Sequence, residues 1–579
     1  MLFVFVVKNI TMKIPKILFL ILFLVFTSCK AEETTDLKHI TENGNDPDRY
    51  YNGVVSSADE LASMVGLDIL KNGGNAIDAA VGIGFALAVV YPRAGNIGGG
   101  GFMVIHLADG TNTSIDYREK APSGAFRDMY LDANGDVVVD LSTVGHLASG
   151  VPGAVAGMLY ALEKYGTMTR QEVLKYAIDY ADNGFTVSDA LASSLWAYNG
   201  EFAQFPSTMK VFGDVEAGDL LVQKDLANTL RLISENGRDG FYKGPVAGYI
   251  VAEMQRGNGI ITLEDLANYQ PVERDVIKGT YRGYDIISMG PPSSGGISLI
   301  YLLNILENYD LSQYMYAGAE MINIMVEAMR RVYSDRSEFM GDADFVNVPA
   351  DILTSKKYAS DRMKDFVPGQ AGKSENVTHG DAYYKESDQT THYSVADKFG
   401  NIVSVTTTIN DSYGNKLVVE GAGFFLNDEM DDFVSKPGVP NMYGLLGSDA
   451  NAIEPNKRML SSMTPTIVFK DGKPFLVTGS PGGGRIITTV LENIVNIIDY
   501  GMPLGDAVDL PRFHHQWYPD EIQIERGMLT GEVVYNLVNM GYKINEIRDY
   551  ASLDAIMFFP DGGMIGHSDR RGTGKAVGY

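Results

Sequence analysis

A polar, glycine-rich stretch of the chain ends at a threonine that begins a regular strand pattern. Residues 369–389 (GQAGKSENVTHGDAYYKESDQ) contain no apolar run, and strand-type alternation starts at Thr390 and covers 390–395. After a turn over 397–401, residues 402–409 continue in the same way. This pattern predicts two strands joined as a β-hairpin. We therefore expect a flexible segment over 369–389 that stops where a sheet begins.

Apolar residues at helical spacing mark three further elements. Residues 59–71 end at Asn72-Gly73-Gly74, a sequence typical of a helix C-terminus. Thr169 and Glu172 form a capping box ahead of a second helix. Residues 319–334 place methionine and aliphatic side chains on one face. We predict helices at all three places and assign their apolar faces to the core.

Composition indicates a folded protein with a large core. The chain has 579 residues, of which 45% are hydrophobic and 21% charged, and its length predicts several domains. Its formal net charge is −26, which argues against nucleic acid or anionic lipid as a main partner, since both require basic surface.

The N-terminal residues resemble an export signal. Lys13 and Lys16 precede the apolar stretch 17–26, which is too short to cross a bilayer as a helix. Cys29, the only cysteine, stands where a bacterial lipoprotein signal places its lipidated residue, with Phe26 where leucine is usual. We predict an export signal over 1–28 and a tether over 29–52. An ordinary secretory signal with an incidental cysteine is the alternative, and in both cases the protein is exported, as a periplasmic protein or a membrane-anchored lipoprotein.

A second glycine-rich stretch, TGSPGGG (478–484), lies between a predicted strand (474–478) and a predicted helix. Backbone N–H groups at such a turn can stabilise a negative centre, as in an oxyanion hole. The alternative is a tight turn that needs glycine only for its backbone conformation. No phosphate-binding loop, G-x-S-x-G motif or H-E-x-x-H motif is present, and we interpret His514 and His515 as structural.

Eight segments resemble, in order, sequence blocks of gamma-glutamyltranspeptidases. Those similar to the small subunit are QTTHYSV (389–395), TTTIN (406–410), NDEMDDF (427–433), KRMLSSMTPT (457–466) and TGSPGGGR (478–485). Those similar to the large subunit are IDYREKAP (115–122), SGVPGAVAG (149–157) and VEAMRRVYSDR (326–336). The resemblance extends from about Gly53 to the C-terminus. Met459 and Arg570 depart from it, each standing where the family has proline.

The resemblance implies an α+β fold, a four-layer αββα sandwich of the N-terminal-nucleophile hydrolase type. It also implies a precursor that cuts itself between Gln389 and Thr390 into a large subunit (53–389) and a small catalytic subunit (390–579), which stay together as a heterodimer. A threonine hydroxyl needs an adjacent base, and cleavage would supply one as the new α-amino group of Thr390.

Family motifs also assign site residues. Thr390 is the nucleophile, Thr408 supports it, and Gly482 and Gly483 hold the oxyanion. The remaining assignments concern the substrate: Arg118, Ser461 and Ser462 for its α-carboxylate, Asn410, Glu429 and Asp432 for its α-ammonium, and Tyr443 as the gate in a covering loop over 437–456.

The expected reaction transfers a gamma-glutamyl group from glutathione or a related compound to water, an amino acid or a peptide. It requires no metal or organic cofactor. Two alternatives remain: a related acylase acting on glutaryl-type side chains, such as those of cephalosporins, and a non-catalytic lipid-anchored binding protein.

Overall fold

The computed structural model describes residues 49–138, 140–378, 390–442, 444–548 and 550–579. The predicted signal, Cys29, nearly all of the tether, Gln389 and Tyr443 lie outside the described residues. Of the tether only 49–52 are described, and Tyr50 there forms a β-bridge with Met564. Within the described part of the chain, no helix combines the length and apolar character needed to cross a bilayer.

Eighteen strands are described. They are β1 (Gly53–Ser57), β2 (Gly100–His106), β3 (Asn112–Asp116), β4 (Phe185–Thr186), β5 (Leu220–Leu221), β6 (Val272–Arg274), β7 (Ile277–Tyr281), β8 (Tyr284–Ser288), β9 (Thr391–Asp397), β10 (Ile402–Thr408), β11 (Thr466–Lys470), β12 (Lys473–Gly479), β13 (Phe513–His514), β14 (Ile522–Glu525), β15 (Ile544–Ile547), β16 (Asp554–Phe558), β17 (Met564–Ser568) and β18 (Lys575–Gly578).

The described α-helices are α1 (Glu60–Lys71), α2 (Ala76–Val90), α3 (Asp140–Thr143), α4 (Ala154–Tyr165), α5 (Arg170–Asn183), α6 (Asp189–Ala197), α7 (Asn199–Phe202), α8 (Pro206–Phe212), α9 (Lys224–Asn236), α10 (Asp239–Tyr242), α11 (Gly244–Arg256), α12 (Leu263–Asn268), α13 (Gly295–Leu306), α14 (Ala319–Phe339), α15 (Ala350–Leu353), α16 (Lys356–Arg362), α17 (Arg485–Ile498), α18 (Leu504–Asp509) and α19 (Gly531–Met540).

Two large sheets organise the structure. The first has the order β18-β1-β9-β10-β2-β3-β6 and the second β17-β16-β12-β11-β8-β7, with antiparallel pairing throughout both. The sheets contact each other through β10 with β12 and β9 with β16. Helix α2 packs on β9 and β10, whereas α13 and α17 pack on the second sheet.

Side-chain alternation along the central strands explains why both faces of each sheet are buried. On β9, Val395 belongs to the apolar cluster that includes α2, while Ala396 belongs to the cluster between the sheets. On β12, Leu476 packs with the helices and Val477 faces the first sheet. Because successive side chains point to opposite faces, each strand contributes to two apolar layers.

The helices and strands predicted from sequence spacing are confirmed. Asp59 caps α1, Thr169 and Glu172 form both hydrogen bonds of a capping box at the start of α5, and β9 and β10 form the predicted hairpin. Helix α14 continues to Phe339, beyond the predicted end at 334. The C-cap of the helix is Met340, whose N–H donates a hydrogen bond to Arg336 O at 3.3 Å.

Residues 369–378 differ from the flexible segment that the sequence predicts over 369–389, the rest of which lies outside the described residues. Gly372 N donates to Glu327 Oε1 at 2.9 Å, and Ser374 N donates to Asp520 Oδ2 at 2.8 Å. Trp517 Nε1 donates to the carbonyls of Ser374 and Val377 at 3.0 and 3.1 Å. The stretch is therefore anchored to the fold at Gly372, Ser374 and Val377, whereas the side chains of Lys373 and Glu375 are exposed.

Candidate active site

A small cavity collects most of the side chains that the sequence singles out. Its volume is about 30 Å³. Nine predicted residues line it: Arg118, Thr390, Thr408, Asn410, Glu429, Asp432, Ser461, Ser462 and Gly483. Gly482 is not among the lining residues, although it precedes Gly483 in the same turn. Residues distant in sequence thus meet at one place.

One side of this cavity consists of Thr390, Thr408 and Gly483. We call it the nucleophile wall because the sequence predicts Thr390 as the nucleophile. Thr390 directly precedes β9 and is buried, and Thr408 ends the neighbouring strand β10. The pairing of Thr407 with Thr391 brings the two strand ends together. The Thr408 hydroxyl accepts a hydrogen bond from Asn410 N at 2.8 Å, so its own proton can be donated elsewhere.

The glycine turn lies between β12 and α17. Gly482 has φ 124° and Gly483 has φ 51°, conformations that disfavour residues with a side chain. A Cβ at Gly482 would also lie 2.7 Å from Ala551 Cβ. Helix α17 begins at Arg485, so its positive N-terminal dipole end lies directly after the turn. This geometry suits a negative centre, but it also fits a turn that simply requires glycine.

His392 lies between β9, the strand that follows Thr390, and β12, the strand that leads into the glycine turn. Its ring is fully buried and hydrogen-bonds to Thr406 Oγ1 at 2.9 Å and Ser394 Oγ at 3.0 Å. A Cβ at Gly479, the last residue of β12, would lie 2.3 Å from that ring. Burial lowers the pKa of His392 to about 3, so the ring is neutral. Sequence reasoning missed this role, although the alternation of β9 already predicts an inward-facing side chain at 392.

A second part of the lining, the charged wall, consists of Arg118, Glu429 and Asp432. The guanidinium of Arg118 is buried and donates hydrogen bonds to both carboxylates. It also donates to the carbonyls of Met459 and Leu460, each at 3.3 Å. Arg118 is therefore not part of a surface ion pair. The arginine assigned to a substrate carboxylate and the acids assigned to a substrate ammonium contact each other here.

Burial changes the acids of the charged wall. It raises the pKa of Glu429 to about 7, although the positive charge of Arg118 acts in the opposite direction. Burial also raises the pKa of Asp432. Glu119 lies beside Arg118, has no hydrogen-bond partner for either carboxylate oxygen, and has a pKa well above its usual range because of burial and the charge of Glu429. Sequence reasoning missed Glu119, although it directly follows Arg118.

The serine pair, Ser461 and Ser462, is held by residues within 292–336, far earlier in the sequence. Ser461 N donates to Pro292 O at 3.0 Å, and Ser294 N donates to Ser461 O at 2.8 Å. Arg336, on α14, donates from Nη2 to Ser462 Oγ at 2.9 Å and from Nε to Ser294 Oγ at 2.8 Å. Arg336 also lines the cavity. Arg336 is the last residue of the segment VEAMRRVYSDR. The resemblance of that segment to the family was the only feature of the sequence that marked Arg336.

The two adjacent histidines have structural partners. His514 hydrogen-bonds to Thr488 Oγ1 at 2.9 Å and Gln516 Oε1 at 2.8 Å, and His515 Nδ1 accepts from Trp517 N at 3.1 Å. Burial lowers their pKa values to about 3 and about 4. Among the described residues no group of three or more His, Cys, Asp or Glu side chains has the geometry of a metal site.

The fold and this site define an N-terminal-nucleophile hydrolase with a mixed α/β architecture. The chain is similar to the crystal structure of cephalosporin acylase from Bacillus halodurans, with a TM-score of 0.82 and 26% identity over 92% of this chain and 96% of that one.

The chain belongs to the gamma-glutamyltranspeptidase family, whose sequence model matches residues 62–579. It is 51% identical over 530 residues to the glutathione hydrolase proenzyme of Escherichia coli (strain K12), covering 91% of each chain. It is also similar to the crystal structure of Helicobacter pylori gamma-glutamyltranspeptidase, with 50% identity and a TM-score of 0.55 over 57% of this chain and 96% of that one.

Proposed function

We propose that this protein is a gamma-glutamyltransferase and glutathione hydrolase that becomes active by cutting itself between Gln389 and Thr390. The observation that carries the proposal is that one cavity holds Thr390 together with an arginine, two buried acids and two serines. That set provides donors for a carboxylate and acceptors for an ammonium, which is the head group of an amino acid.

The nucleophile wall supports the chemical steps. The α-amino group that cleavage creates on Thr390, with a typical pKa of about 8, takes the proton of the Thr390 hydroxyl. The oxygen attacks the γ-carbonyl of the donor, Gly482 and Gly483 stabilise the oxyanion, and the donor's amine leaves with the proton. Water, an amino acid or a peptide amine then resolves the gamma-glutamyl ester and regenerates Thr390.

The charged wall binds the head group by exchanging partners. Arg118 forms ion pairs with both Glu429 and Asp432. A zwitterionic donor places its α-carboxylate against Arg118 and the serine pair, and its α-ammonium against Asn410, Glu429 and Asp432. Each internal ion pair is replaced by a pair with the substrate, so no charge is left buried alone. Tyr443 would close the covering loop over this end.

The subunits 53–389 and 390–579 stay associated after cleavage in a four-layer αββα sandwich. The strand order supports this assignment, because β1 and β2 of the large subunit flank β9 and β10 of the small one, and β8 pairs with β11. Both large sheets are shared between the two fragments, so separating them requires unfolding.

Export through the 1–28 signal and lipidation at Cys29 belong to the same proposal. Metabolic labelling with a palmitate analogue, compared between the wild-type chain and Cys29→Ala, tests the anchor. Label on both chains would reject it.

A denaturing gel with intact-mass measurement on purified protein tests the self-processing. We expect two fragments that meet at the Gln389–Thr390 bond and gamma-glutamyl transfer only from processed protein. A single uncut chain that still hydrolyses glutathione would refute the mechanism.

The structural similarity to a cephalosporin acylase supports one second candidate, a glutaryl-type acylase. Such a substrate lacks the α-ammonium, so Glu429 and Asp432 would keep only Arg118 as a partner. Rates on glutaryl and gamma-glutamyl 4-nitroanilides decide between the two, and we expect the gamma-glutamyl compound to be preferred.

A further inference from the structure

We infer that Arg336 is a positioning residue for donor recognition: it turns the hydroxyl proton of Ser462 toward the substrate carboxylate and adds a second positive charge to that end of the cavity. This inference rests on the proposed function. It concerns a residue that enters the site from helix α14 of the large subunit.

The hydrogen-bonding groups of Arg336 and Ser462 decide which of the two is the donor. A guanidinium has five N–H donors and no acceptor, and it stays charged at all ordinary pH values. In the contact between Arg336 Nη2 and Ser462 Oγ, at 2.9 Å, the serine oxygen must therefore be the acceptor. Ser462 has a single proton, which is then available to an acceptor in the cavity that it lines.

The hydroxyl of Ser461 is also oriented by a donor. Its hydroxyl oxygen accepts a hydrogen bond from Met463 N at 3.1 Å, so its proton too can be given to a ligand. Both serines thus present O–H donors to the cavity, which suits an anion and not an ammonium. Two adjacent serines alone would not have this polarity, because a hydroxyl can equally accept from its ligand.

Arg336 is itself fixed in place, which makes it suited to hold another group. It is 3% exposed, and its Nε donates to Ser294 Oγ at 2.8 Å. The Ser294 hydroxyl in turn donates a hydrogen bond to Ser461 O at 2.7 Å. One guanidinium therefore braces Ser462 directly and Ser461 through Ser294. Its positive charge also lowers the pKa of Asp432, although burial of that acid has the larger, opposite effect.

Three 4-nitroanilides separate carboxylate recognition from all other effects. The gamma-glutamyl compound carries both head-group charges, the glutaryl compound lacks the ammonium, and the 4-aminobutyryl compound lacks the carboxylate. We would measure kcat and KM for each with processed wild type, Arg336→Lys and Arg336→Met. Arg331→Lys is the matched control, because Arg331 lies on the same helix, is also buried, and binds Glu327 and Asp365.

We expect Arg336→Met to raise KM about tenfold to a hundredfold for the two substrates that carry the carboxylate. The 4-aminobutyryl compound should be affected less than about twofold, and Arg336→Lys should be intermediate since it keeps the charge without the fork geometry. Arg331→Lys should leave all three unchanged. An equal loss on all three substrates would show a merely structural role and overturn the inference.

Two further variants keep the test decisive if Arg336→Met does not process. Ser294→Ala removes one bond of Arg336 and should give a smaller loss with the same selectivity for carboxylate substrates. In the double variant Arg336→Lys/Ser462→Ala, the change in donor KM, expressed as a free energy, should be smaller than the sum of the changes in the two single variants. The reason is that each single variant already disrupts the contact between Arg336 and Ser462. Full additivity would contradict the coupling of these two residues. Failure of the wild type to use the gamma-glutamyl compound would instead reject the proposed function, whatever the variants show.

Discussion

The two walls of the cavity are built in opposite ways. The nucleophile wall is neutral and local, with Thr390 and Thr408 at the ends of two paired strands. The charged wall joins segments that are far apart in sequence, and its guanidinium forms ion pairs with both carboxylates. A rigid hairpin suits a reacting group whose position must not change, whereas ion pairs can exchange partners with a substrate. We therefore expect the first wall to control kcat and the second to control KM and stability.

Replacing Thr390, the proposed nucleophile, should give the largest effect. Thr390→Ala removes the hydroxyl required for self-cleavage and for turnover, so we expect one uncut chain and a loss of at least about 10⁴-fold in rate. Thr390→Ser is the control, because it keeps a hydroxyl and should still process. The measurement is a denaturing gel combined with a gamma-glutamyl anilide assay, and processing by the alanine variant would contradict the assignment.

Breaking the charged wall should affect both binding and folding. Arg118→Met leaves Glu429 and Asp432 buried without their cation, which we expect to cost about 3–5 kcal/mol of stability and to raise donor KM at least about a hundredfold.

Arg127→Met is the control for that change, because its ion pair with Asp449 is largely exposed and should contribute little. Thermal unfolding and donor KM measure the two effects. If Arg118→Met lowered only kcat, the division between the walls would be wrong.

The charged wall should also make donor binding depend on pH. Burial raises the pKa of Glu429 to about 7, so this acid is increasingly neutral below that value and loses its attraction for an ammonium. The inhibition constant of L-glutamate, which has the same head group, should therefore rise about tenfold per pH unit below 7 and stay level above it. Glu429→Gln should bind weakly at every pH and without this slope; an unchanged slope would assign it to another group.

The smallest effect should come from a region outside both walls, the anchored residues 369–378. Trp517→Phe removes the hydrogen bonds to the carbonyls of Ser374 and Val377 while keeping an aromatic ring. We expect a loss of about 2 kcal/mol in stability, seen as a melting temperature lower by a few degrees, with kcat of the processed enzyme unchanged.

The other tryptophan supplies the control, since Trp196 is 80% exposed and Trp196→Phe should change nothing. Equal melting temperatures for the two variants would mean that the anchoring at Trp517 contributes nothing.

Local patterns predicted most of the elements that position the site. The alternation after Thr390 predicted β9 and β10, and the glycine run predicted a turn between β12 and α17, because these signals involve residues close in sequence. The charged wall was different: spacing alone did not connect Arg118 with Glu429, and only resemblance to a family placed them in one site. Strand alternation turned His392 inward and Glu119 follows Arg118, but no local pattern predicted their contacts, and Arg336 was marked only by its family segment.

By itself, the sequence determined where strands and helices form, where the chain has glycine for strained turns, and to which family it belongs. Tertiary structure alone decided that Arg118 is buried against two acids, that Arg336 holds Ser462, and that residues 369–378 are anchored by Trp517. The physical reason is that secondary structure follows from neighbouring residues, whereas burial, and with it the pKa of an acid or the direction of a hydroxyl proton, depends on which distant segments pack around it.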